Sequence, residues 1–193
     1  MANKVMKKIA VFASGTGSNF EAVAKACQDG IINAKVSLLV CDKPEALVVS
    51  KARRLNVEVL TVSPKEYESK EAYEEAILAQ LQKHKIELVV LAGYMRLVGN
   101  TLLEAYPDKI VNIHPSMLPE FPGMNSIKRA FECGVKETGI TVHYVDSGID
   151  TGPIIAQKVV KIDENDTLES LEEKMHKVEH KLYVEVLKEL CVK

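Results

Sequence analysis

The chain has 193 residues, 47 % of them hydrophobic, and its 25 Lys and Arg nearly cancel its 27 Asp and Glu. That length fits one domain able to bury roughly 70 % of its unfolded surface. Neither charge gathers into a block, which excludes the electrostatic footprint of a nucleic-acid or anionic-membrane binder and leaves a small discrete ligand as the expected partner.

The opening stretch MANKVMKKIAVFAS begins with basic residues, but its apolar run IAVFA is shorter than the roughly 7 to 15 residues of a signal-peptide core. It reads as a first strand, KIAVFAS (8–14). No segment reaches the roughly 20 apolar residues of a membrane span, so a soluble cytoplasmic protein is expected. Further short apolar runs follow: AKVSLLVC (34–41), VEVLTV (57–62), ELVVLAG (87–93) and KIVNIH (109–114). Their continuous hydrophobicity predicts strands covered on both faces.

Between these runs, Phe20, Val23, Ala24 and Cys27 mark one helical face, and Ala46 to Leu55, Lys70 to Gln82 and Asn100 to Tyr106 are further helices. The polar run SPKEYESK (63–70) reads as a loop. This β-α-β-α order implies a mostly parallel sheet with right-handed crossovers. After His114 the pattern changes: PSMLPEFPG leads to a helix near Ser126 to Glu132, then to strands TGITVHYV and PIIAQKVVKI joined by DSGIDTG, an antiparallel element. The last segment is a long amphipathic helix whose expected buried stripe is Leu168, Leu171, Met175, Val178 and Leu182. No repeat or linker interrupts the chain, so residues 1–193 are expected to form one α/β domain of Rossmann-like type, with helices on both faces of one sheet.

Four motifs carry candidate chemistry. SGTGSNFE (14–21) follows the first strand, and helix-start amides in such a loop can hold a phosphate. Phe20 replaces the third glycine of a dinucleotide fingerprint and no Lys follows, so neither that fingerprint nor a Walker loop is present. A capping box, with Ser18 as cap and Glu21 three residues on, is the competing account. HKVEH (176–180) matches an inverted zinc-peptidase pattern, but a further metal ligand is missing, and a solvent-facing helix edge explains it equally. The four cysteines, Cys27, Cys41, Cys133 and Cys191, have no metal-like spacing and read as thiols of a reducing compartment. In VNIHPSML (111–118), strand alternation puts Asn112 and His114 on one face and Val111 and Ile113 on the other. DSGIDTGP (146–153) adds two carboxylates in a turn-forming loop, and His143 on the preceding strand reads equally as a satisfied core histidine.

In order, ASGTGSNFEA, LAGYMRLV, NIHPSMLPEFPG, VHYV and DSGIDTGP closely resemble the phosphoribosylglycinamide formyltransferases of purine synthesis. The resemblance covers nearly the whole chain. It implies formyl transfer from 10-formyltetrahydrofolate, as co-substrate and without a metal, to the amine of phosphoribosylglycinamide. It also implies a catalytic trio of Asn112, His114 and Asp150, with Gly17, Ser18 and Asn19 for the nucleotide phosphate and Glu179 for the glycinamide substrate. Met95, Arg96, Leu97 and Val98 match the folate stretch, faced by Asn112 and by Asp146, Ser147, Gly148, Ile149 and Asp150. Lys70, where many relatives have Arg, is implied as a further ionic contact to the folate, weaker in geometry than Arg, and Asn125 stands where some relatives have histidine. The N-terminal half is expected to take the nucleotide phosphate and the C-terminal half the folate and catalytic loops.

The residue types suit that chemistry, since an attacked formyl group needs donors for its oxygen and the amine needs a proton path. Asp150 is expected to hold His114 charged near neutrality. Formyltetrahydrofolate hydrolases and methionyl-tRNA formyltransferases share the motifs but carry added domains for which 193 residues leave no room. A zinc peptidase and a non-catalytic nucleotide module are the rivals from other classes. A monomer or homodimer is expected.

Overall fold

A computed structural model describes residues 6–192; most of the basic opening, residues 1–5, lies outside the described residues. The elements in chain order are β1 (Lys7–Ala13), α1 (Ser18–Gln28), β2 (Ala34–Cys41), α2 (Leu47–Arg54), β3 (Val59–Thr61), a 3-10 turn (Pro64–Glu66), α3 (Lys70–Lys83), β4 (Leu88–Leu91), α4 (Asn100–Ala105), β5 (Ile110–His114), α5 (Ser126–Glu132), β6 (Glu137–Tyr144), β7 (Ile154–Lys161) and α6 (Leu168–Leu190). β3 is half the length of its apolar run because Val57 donates its amide to the Ala52 carbonyl instead, closing the end of α2. The polar run 63–70 is not wholly irregular: it holds the 3-10 turn, and Ser69 caps α3 by accepting the Ala72 amide.

The seven strands form one sheet in the order β3-β2-β1-β4-β5-β6-β7. The pairs β3–β2, β2–β1, β1–β4 and β4–β5 are parallel, whereas β5–β6 and β6–β7 are antiparallel. Strand order reverses on either side of β1 and β4, so a crevice opens beyond their carboxyl ends. One face carries Ile9, Val11, Val90, Val111 and Ile113 against α1, α2 and α6, and the other carries Ala10, Phe12, Leu38 and Ile110 against α3 and α4. Alternation along β5 thus sends Asn112 and His114 to the face opposite Val111 and Ile113, as expected.

In α6 the buried residues are Leu171, Met175, Glu179, Leu182, Tyr183, Val186 and Leu187, whereas Leu168 and Val178 are half-buried. The expected stripe is corrected by a partial turn: the 3.6-residue period carries burial from Met175 to Glu179 and Tyr183. Tyr183 is fully buried and its hydroxyl donates toward the carbonyls of Leu91 (2.7 Å) and Val111 (3.2 Å), bracing the ends of β4 and β5.

Candidate active site

The turn from β1 into α1 has Gly17 at the cap with φ of 74°. A Cβ there would stand 2.5 Å from Val48 Cγ2, so only glycine fits. The capping box does not form. Ser18 is the first helical residue, no side chain caps the helix, and Glu21 turns instead to Lys25 (2.9 Å) and Lys51 (3.1 Å). Hydrogen bonds from these two lysines hold the Glu21 carboxyl down at about 2. The first amides of α1 are therefore left without a side-chain partner, the condition an anion site needs.

Beside this turn lies Glu179 of α6, 5 % exposed. Burial pushes its carboxyl up to about 7, against a hydrogen bond from Asn19 that lowers it. The Asn19 Oδ1 is itself buried without a partner. HKVEH is thus not a solvent-facing edge: Glu179 faces inward, His176 is exposed with its Nε2 3.9 Å from Glu179, and His180 is half-buried. Among the described residues, no group of three or more His, Cys, Asp or Glu is placed to hold a metal ion.

A cavity of about 660 Å³ runs from Gly15–Asn19, past Glu179, to Asn112, His114 and Asp150, and on to the Met95–Val98 stretch. At its centre, His114 Nε2 lies 2.9 Å from the Phe121 carbonyl, which can only accept, so that nitrogen carries hydrogen. Nδ1 stands 3.4 Å from Asp150 Oδ2. Burial pulls the His114 pKa below its ordinary 6.5, although the Phe121 carbonyl and the Asp150 charge pull the other way. Desolvation thus favours the neutral ring, against the imidazolium that the neighbouring carboxylate alone would favour.

Asp150 adopts φ of 55°, left-handed backbone that a non-glycine residue holds only where its surroundings require it. Burial raises its pKa, but hydrogen bonds from His143 and the Gly123 amide (2.8 Å), with the neighbouring histidines, bring it below the ordinary carboxylate value. His143 on β6 is the residue that sequence reading left undecided. It pairs across the ladder with Asn112, anchors Nδ1 on the Tyr144 carbonyl (2.8 Å), and sets Nε2 3.3 Å from Asn112 Nδ2 and 3.5 Å from Asp150 Oδ1. Only the β5–β6 register reveals this contact.

On the far side, Met95, Leu97, Met124 and Ile149 are large apolar side chains left more than half exposed around one cavity, a surface suited to a flat apolar ligand. Val98, Arg96, Asp146 and Gly148 join that lining. Ser147 does not, and Lys70 sits exposed at the start of α3, beside Gly99 and outside the lining. Asn125, at φ of 56°, caps α5 on the rim. Cys27, Cys41 and Cys191 are buried free thiols and Cys133 is an exposed one.

A doubly wound sheet that brings an amide, an imidazole and a carboxylate to its carboxyl edge, between a helix start without a side-chain cap and an apolar wall, is an architecture suited to a group transferase acting on two ligands. Residues 7–187 match the formyl transferase family, and the chain belongs to it. It is 57 % identical to the phosphoribosylglycinamide formyltransferase of Bacillus subtilis (strain 168), over 96 % of this chain and 95 % of that protein. Among solved structures, glycinamide ribonucleotide transformylase 1 from Geobacillus kaustophilus superposes with a TM-score of 0.95 at 55 % identity, covering 97 % of this chain and all of the other. The phosphoribosylglycinamide formyltransferase from Bacillus halodurans does so with a TM-score of 0.94 at 52 % identity, over 97 % and 96 % of the two chains.

Proposed function

We propose that the chain transfers the formyl group of 10-formyltetrahydrofolate to the primary amine of phosphoribosylglycinamide, a step of purine biosynthesis. The observation that carries this reading is the continuity of one cavity from the uncapped start of α1 to the apolar wall at Met95–Val98, with Asn112, His114 and Asp150 midway. Gly17, Ser18 and Asn19 take the phosphate at the helix start, and Glu179 takes the glycinamide end of the nucleotide. The folate lies against Met95, Leu97, Val98 and Ile149, with Asp146 to Asp150 as the facing loop. The anion turn belongs to the N-terminal half and the catalytic loops to the C-terminal half, in one domain.

As the amine attacks the formyl carbon, negative charge grows on the formyl oxygen. Asn112 Nδ2 is the neutral donor for that charge. His114 starts neutral, and charge growing beside its ring raises its proton affinity. With Asp150 Oδ2 at Nδ1, the pair accepts the proton that the amine sheds, directly or through one water. The imidazolium so formed opposes the oxyanion and can pass its proton to the departing folate nitrogen. No covalent intermediate on the protein is needed.

The test is a formyl-transfer assay with 10-formyltetrahydrofolate and glycinamide ribonucleotide beside a blank lacking the nucleotide. Nucleotide-dependent tetrahydrofolate formation is expected. Equal formyl loss in the blank would instead identify a hydrolase, in which water replaces the amine at the same trio. No described helix is long and apolar enough to cross a membrane. A cytoplasmic enzyme, working as a monomer or homodimer, completes the reading.

A further inference from the structure

Residues 92–99, which wall the apolar side of the cavity, form neither helix nor strand. They are tied down at intervals. The Ser14 amide donates to the Gly93 carbonyl (3.0 Å), the Met95 amide to Ser14 Oγ (3.0 Å), and the Gly99 amide to the buried Glu74 carboxylate (2.6 Å). Between the last two ties the backbone amides of Arg96, Leu97 and Val98 donate no hydrogen bond among the described residues. Val98 is anchored by burial in the core, and the side-chain hydrogen bond that ties the rest of this interval is Arg96 Nε to Asp42 Oδ2 at 2.7 Å.

Asp42 follows β2 at the carboxyl edge of the sheet, and its side chain is 1 % exposed. Its Oδ1 is buried without any partner. A buried carboxylate whose one cationic partner is Arg96 cannot release it without leaving an uncompensated charge, so the guanidinium is held in one place. Arg96 is 43 % exposed at the cavity, and its Nη groups make no hydrogen bond among the described residues. The Gly99 end is equally fixed, since a Cβ there would meet both Glu74 carboxylate oxygens below 3 Å.

We propose that Asp42 is a positioning residue for the one-carbon donor. It fixes Arg96 so that the free Nη groups meet an anionic or acceptor group of the folate, and it braces Met95–Val98 before the ligand arrives. A guanidinium already ordered loses less freedom on binding, which favours affinity over turnover. The inference rests on the reading of this wall as the folate side.

The test compares Asp42→Asn, Arg96→Ala and the double variant in the formyl-transfer assay, with thermal midpoints confirming that each is folded. Asp42→Asn keeps the shape of the side chain and removes its charge. It is expected to raise KM for 10-formyltetrahydrofolate about tenfold, to leave kcat within about twofold and KM for the nucleotide unchanged, and to add nothing in the Arg96→Ala background. If Arg96→Ala raises the donor KM while Asp42→Asn does not, the positioning role is overturned and the folate reading stands. If Arg96→Ala itself leaves the donor KM unchanged, both fall. Equal losses in kcat and in both KM values would mark Asp42 as merely structural and overturn the proposal.

Discussion

Replacing Glu179 by Gln should make the protein more stable at alkaline pH while weakening nucleotide binding. The carboxyl titrates at 4.5 when solvated and at about 7 in the fold, because burial disfavours its charge. The folded state therefore keeps a proton that the unfolded chain releases between pH 4.5 and 7, and stability falls as pH rises through that window. At about 1.4 kcal/mol per tenfold change, the fully ionised carboxylate costs roughly 3 kcal/mol above pH 7. Gln avoids this cost, and its amide can donate to the unpartnered Asn19 Oδ1. Urea unfolding followed by far-UV circular dichroism should show the two proteins agreeing to within roughly half a kcal/mol near pH 4.5. By pH 8.5 they should diverge by roughly 3 kcal/mol in favour of the variant, or roughly 10 °C in thermal midpoint for a chain of this size. The parent's KM for glycinamide ribonucleotide should be the lower one. Parallel stability profiles across pH 4.5 to 8.5 would refute the reasoning, because the carboxyl would then titrate alike in both states.

Three more outcomes are expected. His114→Ala should keep nucleotide affinity, measured by calorimetry, but lose about 100- to 10,000-fold in kcat, the usual contribution of a positioned general base. Asp150→Asn removes the charge that supports protonation of His114, so kcat should fall and the limb of its pH profile governed by His114 should move to lower pH; superimposable profiles would argue against the pairing. Tyr183→Phe deletes the hydroxyl bonded to the Leu91 and Val111 carbonyls and should lower unfolding free energy by about 1 to 3 kcal/mol in urea titrations, with KM values unchanged.

The central strands β1, β2, β4 and β5 were legible because they are largely buried on both faces, which writes an apolar run that needs no tertiary knowledge to read. The β5 pair was legible for the opposite reason: two polar residues at period two in such a run, Asn112 and His114, have to face something. What failed depended on contacts between distant segments. Ser18 and Glu21 have the spacing of a capping box, but Lys51 from α2 competes for Glu21. HKVEH looks mostly polar, yet Glu179 is buried because it falls on the inward face of α6 with Met175, Leu182 and Tyr183, where it also lines the cavity. The lowered pKa of His114 turns on desolvation, which no local pattern records. His143 was noticed in VHYV but left undecided, and Asp42 carried no motif at all, since their meaning lies in the β5–β6 register and in a loop 54 residues downstream.

The antiparallel junction between β5 and β6 has a dynamic consequence. In an all-parallel sheet, polar groups at the carboxyl edge hang on crossover loops. Here Asn112, His114 and His143 stand inside paired ladder positions, whereas Asp150 alone comes from the connection between β6 and β7. Opening free energies should split the same way. Amides at 111–114 and 141–144 should exchange with solvent only through global unfolding, and those at 146–152 through local excursions. The proposed reaction centre then has one soft coordinate, the approach of Asp150 to an otherwise rigid frame, and ligand binding has only that coordinate to freeze.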